Sequence, residues 1–345
     1  MSILCEKCPV AVYDGETIND IIFDLLSIES IDKLFYPLAA NPQPEILERA
    51  YTLGTGFTCI SASEVRRVLN ALRQCRGYQV LFVPGAGYAG DWGYPLETGV
   101  LPVFNYLTPL NFAPDLFREK RVLAYADISG QGRTEDNSRA WITGLQDRLK
   151  DLGARLTGLY VPGEIHWPDL GEWLRNCPEC EVLCLGKGGG ISLDSETGCL
   201  DISKTTEKLE EVKAARPDLE LWVELDARAM ACTGALLTRV KATWRVNEDL
   251  LFCLEMNGHG AAFSKIPLGC SRILNLSGEP DRGVPWEMVR ISTYEHGNPV
   301  CMAPDDFPVH QGDALLMTPM VFAGDCRDLF PEHYLRARRI CQVPI

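Results

Sequence analysis

Between residues 30 and 226 short apolar runs alternate with longer amphipathic stretches, and this repetition restricts the fold more than any other feature of the sequence. Strands are expected at 34–39, 57–60, 79–83, 101–105, 121–127, 156–161, 181–186 and 219–224. Helices are expected between them, among others at 44–53, 61–75, 136–152 and 203–216; in the last, the pairs Lys204/Glu207 and Glu210/Lys213 set opposite charges at helical i,i+3 spacing. Eight strand–helix units predict an α/β protein built on a (β/α)8 barrel.

After about residue 235 the pattern shortens to alternating runs broken by Gly, Pro, Asn and Asp, as at 250–256, 288–293 and 314–317, which predicts a β-rich domain. A chain of 345 residues has room for both parts. The expected division gives 24–234 to the barrel and 1–23 with 235–345 to the β-rich domain. No internal repeat, low-complexity tract or Pro/Ser-rich linker separates them, so the two are expected to pack together.

The formal charge of −14, with no compensating Lys/Arg cluster, repels phosphate backbones and anionic lipid, and the sequence holds no apolar stretch of membrane-spanning length. Nucleic acid and membrane are therefore not expected as partners. The first residues, MSILCEKCPVAVYDGE, lack the basic-then-apolar pattern of a secretory signal, and a cytoplasmic location is expected. Among the 14 cysteines most lie in apolar strands, as Cys59, Cys184 and Cys253 do, where a thiol acts as a small hydrophobe. The pairs Cys5/Cys8 and Cys177/Cys180 have a spacing that can hold zinc, but they are far apart and have no close histidine; Cys177 to Cys180 reads as the turn into the next strand. No H-x-x-H spacing occurs, so no metal site is assigned.

Several segments carry a resemblance. Leu34-Phe35-Tyr36-Pro37-Leu38-Ala39-Ala40-Asn41-Pro42 resembles the first barrel strand of the fold-type III pyridoxal-phosphate (PLP) decarboxylases, the diaminopimelate/ornithine decarboxylase family. Leu53-Gly54-Thr55-Gly56-Phe57-Thr58-Cys59-Ile60-Ser61 is similar to that family's L-G-x-G-F-[DE]-x-x-S, and Gly186-Lys187-Gly188-Gly189-Gly190-Ile191 to the glycine loop after its seventh strand. Glu211 to Pro217, Leu221 to Glu224 and Gly234 to Val240 follow the same order and spacing. The resemblance implies an alanine-racemase-type barrel followed by a β-rich domain, and a homodimer whose sites lie at the subunit interface.

The same alignment exposes what is missing. Ala39 stands where the family has the lysine that forms a Schiff base with PLP. The family's E-P-G-R reads Glu224-Leu225-Asp226-Ala227, leaving Arg228 one position late; its stacking-histidine loop is replaced by Tyr160-Val161-Pro162-Gly163-Glu164-Ile165-His166; its C-E-S-G-D reads Tyr294-Glu295-His296-Gly297-Asn298; and its late tyrosine falls at about Ala323. So coordinated a replacement implies that PLP chemistry has been abandoned, and no cofactor is expected. Decarboxylation by the family's route depends on that cofactor.

What remains is polar. Glu164 and His166, two apart at the end of the sixth barrel strand, make an acid–base pair or else cap the following helix. Glu224 and Asp226, also two apart, form a coupled carboxylate pair or bind a substrate ammonium. Tyr294, Glu295 and His296 are expected to enter from the partner subunit, although strand alternation would turn Glu295 away from the other two. Ala39, Asn41, Gly188, Gly189, Gly190, Arg228 and His259 are the expected ligand-binding positions; the glycines offer backbone N–H groups to an anion or simply make a tight turn. The expected function is acid–base chemistry without PLP on a small polar or amino-acid-derived metabolite: a cyclisation, isomerisation, elimination or decarboxylation. The alternatives are a non-catalytic subunit that regulates an active decarboxylase, and an amino-acid decarboxylase that still binds PLP.

Overall fold

The structure is a computed structural model that describes residues 9–85, 91–126, 135–163, 170, 171, 173, 174, 177, 179–194, 199–255, 263–265, 272–277, 284, 285, 290–295, 298–304, 307–318 and 320–322. Strand β1, Val10–Tyr13, precedes eight strands that close into a parallel barrel: β2 Lys33–Pro37, β3 Gly56–Cys59, β4 Val80–Phe82, β5 Leu101–Phe104, β6 Arg121–Tyr125, β7 Arg155–Pro162, β8 Val182–Gly186 and β9 Glu220–Glu224. Each pairs with its sequence neighbour, and β2 closes the ring on β9 with Phe35 opposite Glu224. All eight expected barrel strands are present, with every end within two residues of the expected one.

Both faces of these strands are apolar because the ring is covered outside by helices and filled inside by side chains. Phe35, Leu81, Val83, Val103, Leu123, Tyr160, Val182, Cys184 and Trp222 fill the interior. Alternate residues such as Leu34, Tyr36, Phe57, Phe82, Val122, Leu159, Leu183 and Val223 join the layer beneath the helices.

Among the described residues the α-helices with defined ends are α1 Gly15–Leu26, α2 Pro44–Thr52, α3 Ala62–Ala71, α4 Gly93–Glu97, α5 Thr108–Phe112, α6 Glu135–Asp151 and α7 Ile202–Ala215. Helix α3 stops four residues short of the expected end at 75. Leu72 leaves helical geometry so that the chain can turn through Gly77, which lies against the backbone of Thr98 and Gly99, into β4. Helix α1 begins on an N-cap, Asp14, whose carboxylate accepts the N–H groups of Glu16 (2.9 Å) and Thr17 (3.3 Å). Its buried residues Ile18, Ile21, Ile22 and Leu25 belong to the barrel's apolar layer, so the expected division at residue 24 falls inside a helix that packs with the barrel.

Strand β1 crosses to the other part, where it pairs with β10, Gly234–Val246. The following strands are β11 Asp249–Leu254, β12 Phe263–Lys265, β13 Arg272–Asn275, β14 Val284–Pro285, β15 Arg290–Glu295, β16 Asn298–Pro304, β17 Ala314–Thr318 and β18 Met320–Phe322. All pair antiparallel, in the order β14-β13-β17-β10-β11-β16-β15, with β12 and β18 forming a separate pair. Leu236, Val240, Phe252, Leu254, Leu315 and Met317 share a second core. The β-rich domain is thus as expected. Cys59, Cys184 and Cys253 are buried, and the Cys180 N–H donates to the Cys177 carbonyl (3.0 Å) in a turn that leads into β8. Among the described residues no helix is long and apolar enough to cross a membrane.

Candidate active site

In a parallel barrel the side chains at the C-terminal ends of the strands gather at one mouth, and loop residues there reach one another. Glu224, the last residue of β9, is the polar centre of this end. It is buried, its Oε2 accepts the Tyr160 hydroxyl at 2.8 Å, and its Oε1 accepts the backbone N–H of Lys187 at 3.2 Å. Burial pushes the acid above its usual range, against the hydrogen bonds from Tyr160 and Lys187, which pull it down. The Tyr160 phenol is raised as well, by burial and by the facing Glu224 carboxylate.

Tyr160 has room inside the ring because β8 ends on Gly186: a Cβ there would fall on the tyrosine ring. Tyr160 stacks on Tyr125, from the end of β6, with ring centroids 5.6 Å apart. The Lys187 ammonium lies 3.4 Å from the Tyr125 hydroxyl and 5.8 Å from its ring centroid. Lys187 is exposed and adopts a left-handed backbone, φ 51°, a conformation that costs a non-glycine residue energy and that turns its N–H onto Glu224. A buried acid, two phenols and an exposed cation therefore run from the barrel interior to its rim.

The expected residues are only partly brought together. β9 ends at Glu224, so strand alternation no longer holds at Asp226, and each carboxylate meets its own partners. Asp226 is buried and gripped by Arg228, whose backbone N–H (2.7 Å) and Nε (3.2 Å) donate to Oδ1, and whose Nε (3.0 Å) and Nη2 (2.6 Å) donate to Oδ2. Ala39 is exposed in the turn that follows β2, the strand beside that of Glu224; β2 itself ends at Pro37. Asn41 is buried and serves that turn, its Oδ1 accepting the Gln43 N–H (3.1 Å) and its carbonyl the Tyr36 hydroxyl (3.2 Å). Gly188, Gly189 and Gly190 form a tight buried turn after β8.

Tyr294 and Glu295 end β15, where their backbone pairs with Pro299 and Asn298 of β16. Glu164, His166, His259 and His296 lie outside the described residues. Tyr160, Tyr125 and Lys187 were not singled out by the sequence reading. The available signals were a lysine set among glycines at a strand end, and a tyrosine opening the segment that replaces the stacking-histidine loop.

The residues present do not fit PLP held as the resemblance implies. Ala39 has no amine to offer. Arg228, the nearest substitute for the phosphate-binding arginine, is paired with Asp226.

The sequence matches no family model. It is 22% identical over 320 residues to the diaminopimelate decarboxylase of Deinococcus radiodurans, spanning 86% of this chain and 78% of that protein. Solved structures share the fold. The lysine decarboxylase of Selenomonas ruminantium superposes with a TM-score of 0.68 at 18% identity, covering 97% of this chain and 93% of the other. The lysine/ornithine decarboxylase of Vibrio vulnificus, complexed with putrescine, gives 0.71 at 13% identity, covering 96% and 93%. The arginine decarboxylase of Paramecium bursaria Chlorella virus, bound to agmatine, gives 0.68 at 15% identity, covering 91% of each chain. The chain thus shares the fold of these decarboxylases and is similar in sequence to one member of their group.

Proposed function

We propose that the protein is an enzyme of decarboxylase fold that works without PLP and carries out acid–base chemistry on a small polar or amino-acid-derived metabolite. The observation that carries this reading is Glu224: a buried acid at the C-terminal end of a barrel strand, raised by burial and hydrogen-bonded to a buried phenol. An acid so raised keeps its proton closer to neutral pH, and the adjacent Tyr160 hydroxyl relays it: the phenol takes the Glu224 proton only as it passes its own on to the substrate. Lys187 and Tyr125 are the groups that an entering metabolite meets at the rim. Glu164 and His166 after β7, and Tyr294, Glu295 and His296 from a second copy of the chain in a homodimer, complete the site in this reading. The reactions within its reach are cyclisation, isomerisation, elimination, or decarboxylation of an already activated acid.

Purified protein incubated with a panel of amino, hydroxy and keto acids, with and without added PLP, is expected to consume one class equally in both conditions, as followed by mass spectrometry. Glu224→Gln and Tyr160→Phe are expected to slow that turnover by about 10²-fold or more, the usual range for a lost general acid–base group. Variants as active as the native protein would sink the proposal. So would a native protein that is inert on the whole panel and co-purifies with an active decarboxylase, the outcome expected of a regulatory subunit.

A further inference from the structure

At the barrel rim two hydrogen-bond donors stand side by side. Lys187 Nζ donates to the Tyr125 hydroxyl oxygen at 3.4 Å, which leaves the other ammonium protons and the phenolic proton without an acceptor among the described residues. Both groups can be reached from solvent, since Lys187 is exposed and Tyr125 half-buried. Both are also tied to the buried acid. Tyr125 ends β6 with its ring stacked on that of Tyr160, whose hydroxyl donates to Glu224 Oε2, and the backbone N–H of Lys187 donates to Glu224 Oε1.

The charges at this end of the barrel decide what the pair can take. Asp226 is neutralised by Arg228, whose Nη2 lies 2.6 Å from Oδ2. Glu224 is buried, and its oxygens are engaged by Tyr160 and by the Lys187 backbone rather than by the Lys187 ammonium. Among the described residues that ammonium has no carboxylate at ion-pair distance; its neighbours are the hydroxyl and the ring of Tyr125. A cation on an aromatic face is therefore left to be paired by whatever binds there. Two donors 3.4 Å apart, one charged and one neutral, suit the two oxygens of a carboxylate, and hydrogen bonds from an ammonium to a carboxylate are of the strong, charge-assisted kind.

We infer that Lys187 and Tyr125 form a carboxylate-binding subsite at the barrel rim, and that the metabolite is a free acid held there by its carboxylate. The body of such a ligand then lies along Tyr160 toward Glu224. The ligands disfavoured are amines, amides and esters that bring no negative charge. The inference rests on the acid–base reading of Glu224 only for the direction in which the ligand extends; the subsite itself is defined by binding.

The test is a set of ligand-observed NMR titrations at neutral pH and constant ionic strength, with acetate, lactate and pyruvate, each beside its primary amide, and with inorganic phosphate. Native protein is expected to bind each acid about tenfold tighter than its amide or more, the ratio given by one or two charge-assisted hydrogen bonds. Lys187→Gln, a change at an exposed side chain, is expected to bring acid and amide within about twofold of each other, while Lys187→Arg keeps most of the preference. Tyr125→Phe, which keeps the stacked ring and removes the hydroxyl, is expected to lose part of it. Glu224→Gln is expected to retain the preference, so a loss of turnover in that variant bears on the acid–base reading and not on the subsite. Native protein that binds no acid, or binds acid and amide alike, would overturn the inference. So would a preference that survives Lys187→Gln, or inorganic phosphate that binds more tightly than the acids through the same lysine.

Discussion

Replacing Glu224 by alanine is expected to destabilise the barrel by about 2–4 kcal/mol, more than any other polar substitution at its mouth. The carboxylate is the acceptor for two donors from different strands' ends, the Tyr160 hydroxyl and the Lys187 N–H. Truncation leaves the Tyr160 hydroxyl buried with no acceptor there and opens a cavity beside it; a buried orphan donor alone costs about 1–3 kcal/mol. It also frees Lys187 from the contact that helps to hold its left-handed backbone. Urea midpoints of the native protein and of Glu224→Ala measure this directly, and a difference below about 0.5 kcal/mol, the range of an ordinary surface change, would show that the carboxylate organises nothing.

Glu224→Gln separates shape from charge and fixes the sign of the pH dependence. The folded state raises this acid above its ordinary value near 4.5, chiefly by burial. Between the ordinary value and the raised one, the folded protein holds a proton that the unfolded chain has released, so stability falls as pH rises through that window. The contribution is complete below the unfolded value and is lost once the pH passes the folded one. The glutamine variant keeps one acceptor and never ionises. Relative to it, native protein is therefore expected to be at its most stable below the ordinary value of 4.5 and to lose ground as the pH rises above it, until the raised value is passed. A gap between the two urea midpoints that stays constant over that range would mean that burial does not raise the acid.

How much of this the sequence carried depends on the distance over which each feature is encoded. The barrel strands were legible because each is an uninterrupted apolar run, and the order of eight such runs leaves one closed arrangement. Helix α1 was not among the expected helices, and its apolar residues Ile18, Ile21, Ile22 and Leu25 mark a buried face without saying what covers it. At the site, Glu224 was legible from its place at a strand end. Its partners were not, because the Tyr160–Glu224 bond joins residues 64 positions apart and depends on the inward direction of two strands that are not neighbours. The Arg228 partner of Asp226 was not legible for a local reason. Two-residue alternation is a property of strands, and the strand ended before it reached that residue.

Gly186→Ala is expected to produce the second large effect, a loss of about 3 kcal/mol or more, although it adds a single methyl group. The new Cβ would coincide with the Tyr160 ring near its hydroxyl, and β7 and β8 are hydrogen-bonded along their length, with Tyr160 opposite Cys184 and Pro162 opposite Gly186, so neither backbone can retreat. The ring has to move, and moving it breaks the hydrogen bond to Glu224; overpacking costs about 1–3 kcal/mol and the orphaned polar pair a similar amount. Because both costs pass through one side chain, they should vanish with it. In a Tyr160→Ala background the same Gly186→Ala change is expected to be nearly neutral, and the double-mutant cycle to give a coupling energy of about 2 kcal/mol or more. The cycle also bears on the acid, since displacing the ring removes the Tyr160 hydrogen bond that now pulls Glu224 down. Gly186→Ala alone should therefore raise Glu224 further and widen the pH window over which stability falls. A glycine-to-alanine cost that is equal in both backgrounds would mean that the ring does not occupy the space above Gly186, and the Tyr160–Glu224 pairing would fall with it.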